Sequence, residues 1–242
     1  MLPTPETPHV DSLPVYPPSE DSFLLLDTLE AQREYLTSRF PSGSGPVVLE
    51  AGTGSGVVVA FLAAHSSKIF GHRNVTLLAV DMNPFACRAA RTTVDLAVTV
   101  SKGSSGRYLG AFVGDLTDAV RPGSIDVLVF NPPYVPSEGL PEPVLFQSLP
   151  GVNDKADFET ESRFLDLAVS GGLDGMISTW KLLNQLKHVL SDSGTAYVLL
   201  CARNKPDKVL GQLRSQGWVV DKVGSSGKKG GIEKLCIIRI SR

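Results

Sequence analysis

Residues 47–65 read VVLEAGTGSGVVVAFLAAH, and this stretch decides the fold. An apolar run over residues 47–50 leads into Gly52, Gly54 and Gly56, and residues 57–65 follow at once with the composition of a buried helix. This order predicts a buried strand, a tight turn and a helix. Because ligands of open α/β sheets bind beyond the carboxyl ends of the strands, the glycine turn is the first candidate site.

The rest of the chain continues the alternation of strands and helices. We predict further strands at residues 75–81, 111–115, 125–131 and 195–202, and helices at residues 21–40, from Pro84 onward, at residues 176–190 and from Pro206 onward. Residues 218–223 and 232–240 predict a final hairpin, joined by the Gly- and Lys-rich residues 224–231. The pattern therefore predicts an α/β, Rossmann-like fold with a mostly parallel seven-stranded sheet, helices on both faces and a C-terminal antiparallel hairpin.

The chain divides into an arm and one larger domain. Residues 1–20 are rich in proline and predict an extended N-terminal arm, and residues 21–242 form the main domain. Within this domain, residues 136–170 hold four prolines and show little periodicity, which predicts an inserted loop or lid. The insertion is acidic, because Lys155 and Arg163 stand against Glu138, Glu142, Asp154, Asp157, Glu159, Glu161 and Asp166.

Composition excludes several classes of protein. Lys and Arg number 23 and Asp and Glu number 25, so a net charge of −2 gives no general attraction to nucleic acid or to an acidic membrane surface. No stretch approaches the ~20 apolar residues of a membrane helix. The cysteines Cys87, Cys201 and Cys236 form no CxxC pair, so we expect no metal site. We expect an intracellular protein of the cytoplasm, with the nucleus also open.

Acidic residues stand at the ends of the first three predicted strands, at Glu50, Asp81 and Asp115. A carboxylate at the end of the second strand can accept two hydrogen bonds from a ribose diol. NAD enzymes share this layout, but their turn reads GxGxxG and binds a pyrophosphate, whereas here the third glycine comes one residue early. An acid before the glycines suits a cationic ligand. These residues indicate S-adenosyl-L-methionine, with Asp115 placed to accept from the adenine amino group.

The fourth predicted strand ends in Asn131-Pro132-Pro133-Tyr134. Two consecutive prolines cannot continue a strand ladder, so the backbone carbonyls at this point are free to face a ligand. The Asn131 side chain and the Pro132 carbonyl can accept both N–H bonds of a planar NH2 group, and Tyr134 can pack on its flat face. These four residues are therefore the candidate catalytic residues of an enzyme that methylates an amino or amide nitrogen.

Three segments together resemble a known family. Residues 15–27 (VYPPSEDSFLLLD), 49–58 (LEAGTGSGVV) and 129–135 (VFNPPYV) are similar to the eukaryotic and archaeal branch of the HemK family of class I methyltransferases. The resemblance spans residues 15–242 and implies the class I methyltransferase fold. It also implies N5-methylation of the glutamine in the Gly-Gly-Gln motif of class I translation release factors.

The resemblance assigns roles residue by residue. It implies catalytic roles at the acceptor amide for Asn131, Pro132, Pro133 and Tyr134. It implies cofactor contacts from Ser22, Glu50, Gly52, Gly54, Asp81, Asp115, Leu116 and Asn131. It further implies that the chain is the catalytic subunit of a heterodimer, paired along the edge near the third strand with a small zinc-binding activator subunit.

Other functions remain open from the residues alone. The Asn131 motif, which comprises residues 131–134, can hold any planar NH2 group. N6-methylation of adenine in DNA or RNA is therefore an alternative. The net charge of −2 and the acidic insertion disfavour this alternative. Methylation of a protein lysine is a second alternative. A cofactor-binding scaffold without catalytic activity is a third, and an intact Asn131 motif argues against it.

Overall fold

The computed structural model describes residues 1–41, 43, 45–101, 103–141, 158–227 and 234–242. The strands are β1 (Val47–Ala51), β2 (Thr76–Asp81), β3 (Arg107–Val113), β4 (Ile125–Phe130), β5 (Leu190–Cys201), β6 (Val219–Ser225) and β7 (Leu235–Ser241). The helices are α1 (Glu20–Ala31), α2 (Arg33–Arg39), α3 (Val57–Ala64), α4 (Ser66–Ile69), α5 (Pro84–Val100), α6 (Phe158–Val169), α7 (Ile177–Val189) and α8 (Pro206–Ser215). None of these helices has the length and apolar composition needed to cross a bilayer.

The strands form one seven-stranded sheet in the order β3-β2-β1-β4-β5-β7-β6. Strands β1 to β5 run parallel, and β7 lies antiparallel to both β5 and β6. This confirms the predicted mostly parallel sheet with a C-terminal antiparallel hairpin. The chain leaves β1 towards β2 on one side and returns to β4 on the other, so a crevice opens at the carboxyl ends of these strands, where ligands of such sheets bind.

Helices cover both faces of the sheet, as predicted. The neighbouring β1 residues Val48 and Leu49 point to opposite faces and belong to two separate buried clusters. Val48 packs in the cluster that contains α3, whose side chains are all at most 3% exposed. Leu49 packs in the cluster that contains Leu186 of α7 and Leu213 of α8. Burial on both faces explains why the parallel strands are nearly continuous apolar runs.

The third glycine of the turn serves helix packing. Gly56 has a φ of 77°, and a Cβ built there would lie 2.3 Å from the Cα of Ala90 on α5. Only glycine allows the start of α3 to approach α5 this closely. The two other glycines of the turn, Gly52 and Gly54, line a cavity at the carboxyl ends of the strands.

Several elements differ from the sequence predictions in their bounds, and β5 begins at Leu190 rather than at residue 195. The helix predicted over residues 21–40 is two helices, α1 and α2, separated at Gln32. Strand β3 begins at Arg107 rather than at residue 111, because it pairs with β2 from Thr76 onward and passes a register shift opposite Leu77 and Leu78. Its first half is too polar and too interrupted by glycine to read as a buried run.

The predicted loop over residues 136–170 was wrong for its last part, since α6 occupies residues 158–169. Phe164 of α6 is only 2% exposed, and its ring packs edge-on against Phe85 at a centroid distance of 5.8 Å. Contact with α5 therefore stabilises a helix that the local sequence pattern did not reveal. Residues 142–157, with the acids Glu142, Asp154 and Asp157, lie outside the described residues.

The N-terminal arm has neither helix nor strand before Glu20 and lies on the domain through specific contacts. The Leu2 amide donates to Glu30 at 2.8 Å, and the Pro3 carbonyl lies 2.8 Å from Nε2 of His65. Further along, Nδ2 of Asn83 donates to the Pro14 carbonyl at 2.5 Å. These contacts bring the end of the arm to the crevice of the sheet.

Candidate active site

A cavity of about 490 Å³ lies at the carboxyl ends of β1, β2 and β4. This volume suits a small-molecule ligand. Every site residue predicted from the sequence lines it, although these residues come from five separate places in the chain: Ser22, Glu50, Gly52, Gly54, Asp81, Asp115, Leu116, Asn131, Pro132, Pro133 and Tyr134. Parallel strands explain this convergence, because their carboxyl ends meet at one edge of the sheet.

Glu50 is the next-to-last residue of β1 and is only 3% exposed. Its Oε2 accepts hydrogen bonds from Oγ1 of Thr53 at 2.7 Å and from the amide of Val59 at 3.0 Å. Burial, with a smaller contribution from the nearby Asp81 carboxylate, raises the pKa of Glu50 to about 8, although the two hydrogen bonds act in the opposite direction. A cation bound beside Glu50 would favour its charged form.

Asp81 ends β2 and is fixed by two backbone amides. Its Oδ2 accepts from Gly54 at 2.9 Å and its Oδ1 accepts from Asn83 at 2.9 Å. Burial raises the pKa of Asp81, and these N–H donors partly oppose the shift. Each carboxylate oxygen can accept more than one hydrogen bond, so the orientation is set while acceptor capacity remains for a ligand.

Asp115 follows β3 and has a partner that the sequence analysis missed. Nζ of Lys181 on α7 lies 2.6 Å from Oδ2 of Asp115 and 3.3 Å from Oδ2 of Asp118. The next residue, Leu116, has a φ of 52°, an uncommon left-handed conformation for a residue with a side chain. This turn brings both Asp115 and Leu116 to the cavity wall.

Asn131 immediately follows β4 and holds an unmatched acceptor. Its Oδ1 is buried and accepts no hydrogen bond from the described residues. The hydroxyl of Tyr134 donates to Oδ2 of Asp21 at 3.4 Å, and Asp21 is only 5% exposed. A buried acceptor without a donor costs about 1–3 kcal/mol, so the Asn131 oxygen favours a ligand that brings an N–H donor.

Some of the cavity wall was not predicted. Pro14, Val15 and Tyr16 of the arm, Phe164 of α6 and Lys181 of α7 all line the cavity. Phe164 lay in a segment predicted as a loop, and the apolar pattern of α7 did not distinguish Lys181 from the other polar positions of that helix. The only sequence signal for the arm is its quoted segment 15–27, which the family resemblance had already included.

The charge of the wall selects the sign of the ligand. Four carboxyl groups line the cavity, those of Asp21, Glu50, Asp81 and Asp115. Among the described residues that line it, Lys181 is the only basic one. Such a wall disfavours a pyrophosphate and favours a ligand with positive charge. The charge of the wall therefore argues against a dinucleotide such as NAD.

The raised pKa of Glu50 gives a testable dependence of stability on pH. The folded protein retains a proton that an unfolded glutamate, with a pKa near 4.5, has already released. The contribution of the protonated group to the free energy of unfolding is therefore complete below pH 4.5 and is lost as the pH rises to about 8. The Gln side chain of Glu50→Gln cannot ionise. We therefore expect the Tm of this variant, minus the Tm of the wild type, to increase between pH 6 and pH 8.5.

Thermal unfolding of the free protein in matched buffers measures this difference. Glu138→Gln is the matched control, because Glu138 is exposed and its replacement should change Tm equally at both pH values. A constant Tm difference between Glu50→Gln and the wild type across this range would contradict a proton held on Glu50.

Several proteins resemble the chain over most or all of its length. It is 34% identical over 246 residues to the eRF1 methyltransferase catalytic subunit mtq2 of Schizosaccharomyces pombe, covering 100% of this chain and 96% of the relative. It is 30% identical over 248 residues to methyltransferase HEMK2 of Mus musculus, covering 100% and 97%. A putative protein N5-glutamine methyltransferase of Methanocaldococcus jannaschii is 25% identical over 207 residues, covering 86% and 82%. No protein-family model matches the chain.

A solved structure shares the fold. The E. cuniculi Mtq2-Trm112 complex, described as responsible for methylation of the eRF1 translation termination factor, contains a chain with a TM-score of 0.60 and 23% identity. The match covers 94% of this chain and 98% of that chain, which confirms the class I methyltransferase fold. Because two relatives of 30% identity or more align with its whole length, the chain belongs to the Mtq2/HEMK2 family of methyltransferases.

Proposed function

We propose that this chain transfers a methyl group from S-adenosyl-L-methionine to N5 of the glutamine in the Gly-Gly-Gln motif of a class I translation release factor. The observation that carries this proposal is the buried Oδ1 of Asn131, which lacks a donor among the described residues at the wall of the cavity. A primary amide supplies the missing donor. The proposed place of action is the cytoplasm, where translation terminates.

The wall fits S-adenosyl-L-methionine by its charge and its acceptors. We assign Glu50 to the ammonium group, Asp81 to the ribose diol and Asp115 to the adenine amino group. The Lys181 contact uses Oδ2 of Asp115, so Oδ1 is the oxygen we assign to adenine. We assign the remaining cofactor contacts to Ser22, Gly52, Gly54, Leu116 and Asn131. Bound cofactor supplies an electrophilic methyl group on a positively charged sulfur.

The chain's own task in the reaction is to hold the amide nitrogen. Oδ1 of Asn131 and the carbonyl of Pro132 accept the two N–H bonds of the glutamine amide, and Tyr134 packs on its flat face. Both acceptors interact more strongly as the nitrogen gains positive charge in the transition state. Alignment of the nitrogen with the methyl group provides the second part of catalysis.

Similarity to named enzymes supports a protein substrate. The relative from Schizosaccharomyces pombe is an eRF1 methyltransferase subunit, and the archaeal relative is a putative protein N5-glutamine methyltransferase. Adenine and lysine also present amino nitrogens, but a net charge of −2 offers no attraction to a nucleic acid backbone. We propose glutamine rather than lysine because glutamine is the acceptor in the name of the archaeal relative.

The proposed activator subunit has a suitable surface at the end of the sheet. Strand β3 pairs only with β2 among the described strands and leaves its other edge open. Beside that edge, Leu109 is 60% exposed, Val113 38% and, on α5, Leu96 47% and Val100 75%. Exposed apolar side chains along an open edge are typical of a surface that a partner covers. We propose that the small zinc-binding subunit binds here.

Leu109→Asp should prevent this heterodimer from forming. The substitution places a charge in the apolar surface and is expected to weaken binding by about 100-fold or more. Gel filtration of the co-expressed subunits measures the fraction in complex. Val219→Asp is the matched control, since Val219 is 55% exposed on β6 at the opposite edge of the sheet. A stable Leu109→Asp complex would place the partner elsewhere.

Methyl transfer to a defined substrate tests the proposed function. The heterodimer is incubated with tritiated S-adenosyl-L-methionine and a class I release factor, and with the same factor after replacement of its Gly-Gly-Gln glutamine. Label should enter only the first protein, and mass spectrometry should locate it on that glutamine. Label in an adenine-containing oligonucleotide or on a lysine, and none on glutamine, would overturn the proposal.

A further inference from the structure

One buried amide side chain joins three segments behind the active site. Asn204, which follows β5, is only 3% exposed. Its Oδ1 accepts from the amide of Cys201 at 2.7 Å, which fixes the orientation of the side chain. Its Nδ2 then faces three carbonyls, those of Tyr134 at 3.2 Å, Asp174 at 2.9 Å and Gly175 at 3.2 Å. Asn204 therefore links the end of the Asn131 motif to the turn formed by residues 171–175.

Backbone hydrogen bonds extend the same link. The amide of Gly171 donates to the Val135 carbonyl at 2.8 Å, and the amide of Val135 donates to the Val169 carbonyl at 3.2 Å. The amide of Ser137 donates to the Gly172 carbonyl at 3.1 Å. The turn at residues 171–175 thus runs beside the backbone that leaves the active site.

Glycines in this turn lie against the carbonyls of the motif itself. A Cβ built on Gly171 would lie 2.4 Å from the Pro133 carbonyl oxygen, and one built on Gly175 would lie 2.0 Å from that of Tyr134. No side chain fits in either gap. Asp174 and Gly175 both have positive φ values, 56° and 68°, so the turn has an unusual backbone that needs outside support.

We propose that Asn204 and the turn at residues 171–175 are positioning elements that hold the acceptor carbonyl of Pro132 in its working direction. The proline rings fix φ at residues 132 and 133, which leaves few soft torsions between Asn131 and Tyr134. Contacts from Asn204 and from the turn at residues 171–175 to the carbonyls of Pro133 and Tyr134 restrict the remaining backbone torsions of this segment. This inference rests on the proposed function, in which Pro132 and Asn131 grip the amide.

An ion pair on the outer side of the turn supplies a control. Nζ of Lys205 lies 3.0 Å from both carboxylate oxygens of Asp174, and both side chains are more than half exposed. Exposed pairs of this kind contribute little to stability. Lys205→Gln breaks this ion pair and leaves Asn204 and residues 171–175 unchanged.

Two variants test the positioning role from opposite sides. Asn204→Asp keeps an oxygen for the Cys201 amide but turns a carboxylate oxygen towards three carbonyls, and Gly171→Ala pushes on the Pro133 carbonyl. In the heterodimer we expect each to lower kcat by about 10- to 100-fold, because small misplacements of reacting groups have effects of this size. The Kd of S-adenosyl-L-methionine, measured by calorimetry, should stay within about twofold, since Glu50, Asp81 and Asp115 are not displaced. The control variant should match the wild type.

Hydrogen exchange provides a readout that does not require the substrate. We expect faster exchange at the amide of Val135 in both variants, faster exchange at the amide of Gly171 in Asn204→Asp, and unchanged exchange at Gly54 and Val59 beside the cofactor residues. Wild-type kcat and exchange in both variants would overturn the inference. So would a parallel loss of cofactor affinity, which would show damage to the whole domain. If the wild type does not methylate the release factor, the proposed function fails, while exchange at Val135 and Gly171 still decides the role of Asn204.

Discussion

Asn131→Ala should lower kcat for release-factor methylation by about 100- to 1000-fold, as expected when one preorganised polar partner of the transition state is removed. The variant deletes the buried Oδ1 that no described residue satisfies. In the proposed reaction this oxygen interacts most strongly when the amide nitrogen becomes positive, so the loss falls on kcat. The Kd of the cofactor should rise only modestly, because Glu50, Asp81 and Asp115 remain in place.

Calorimetry with S-adenosyl-L-methionine and turnover with the release factor, on the same preparation, separate these two effects. Asn131→Asp is the informative companion, since it keeps an oxygen acceptor at nearly the same position but adds a negative charge. It should retain more activity than Asn131→Ala. Turnover of Asn131→Ala near the wild-type rate would remove Asn131 from the catalytic assignment.

Much of the candidate site could be predicted because it lies at the ends of strands. Glu50, Asp81 and Asn131 each terminate or follow a buried apolar run, and the parallel sheet brings those ends to one edge. The sequence pattern thus supplied both the acidic residues and their meeting place. Asp115 could be located in the same way, although β3 was predicted to start too late.

Residues contributed by helices and by the arm could not be predicted in this way. Lys181 is one of several polar residues on α7 and is not distinguished by the sequence. Only the tertiary packing of α7 brings it to Asp115. Helix α6 was missed because its stability depends on Phe164 packing against Phe85 across the domain interior. Periodicity reports local burial patterns and contains no information about such long-range partners.

The same limit applies to the support behind the active site. Asn204 reads as an ordinary polar residue after a strand, and only the folded chain shows its amide between Tyr134 and the turn at residues 171–175. Gly56 illustrates the opposite case, since the sequence identified the glycine as part of the turn but did not reveal its structural role. Its contact with Ala90 belongs to helix packing and not to ligand binding.

Asp81→Ala should weaken cofactor binding by about 2–3 kcal/mol, which is roughly a 30- to 160-fold increase in Kd, since two charge-assisted hydrogen bonds to the ribose are lost. The folded protein should survive, because burial raises the pKa of Asp81 and removal of the carboxyl group relieves that desolvation. The amides of Gly54 and Asn83 lose their acceptor, so a small decrease in Tm is expected.

Asp81→Asn is the matched control for shape, because it keeps one oxygen acceptor without the charge. Its Kd should lie between those of the wild type and Asp81→Ala. At saturating cofactor the kcat of both Asp81 variants should approach the wild-type value. Asn131→Ala should stay slow at any cofactor concentration, and this difference distinguishes the two residues. Calorimetric titration of the three proteins gives the three constants directly. An unchanged Kd in Asp81→Ala would exclude Asp81 from the ribose, and with it the proposed orientation of the cofactor in the cavity.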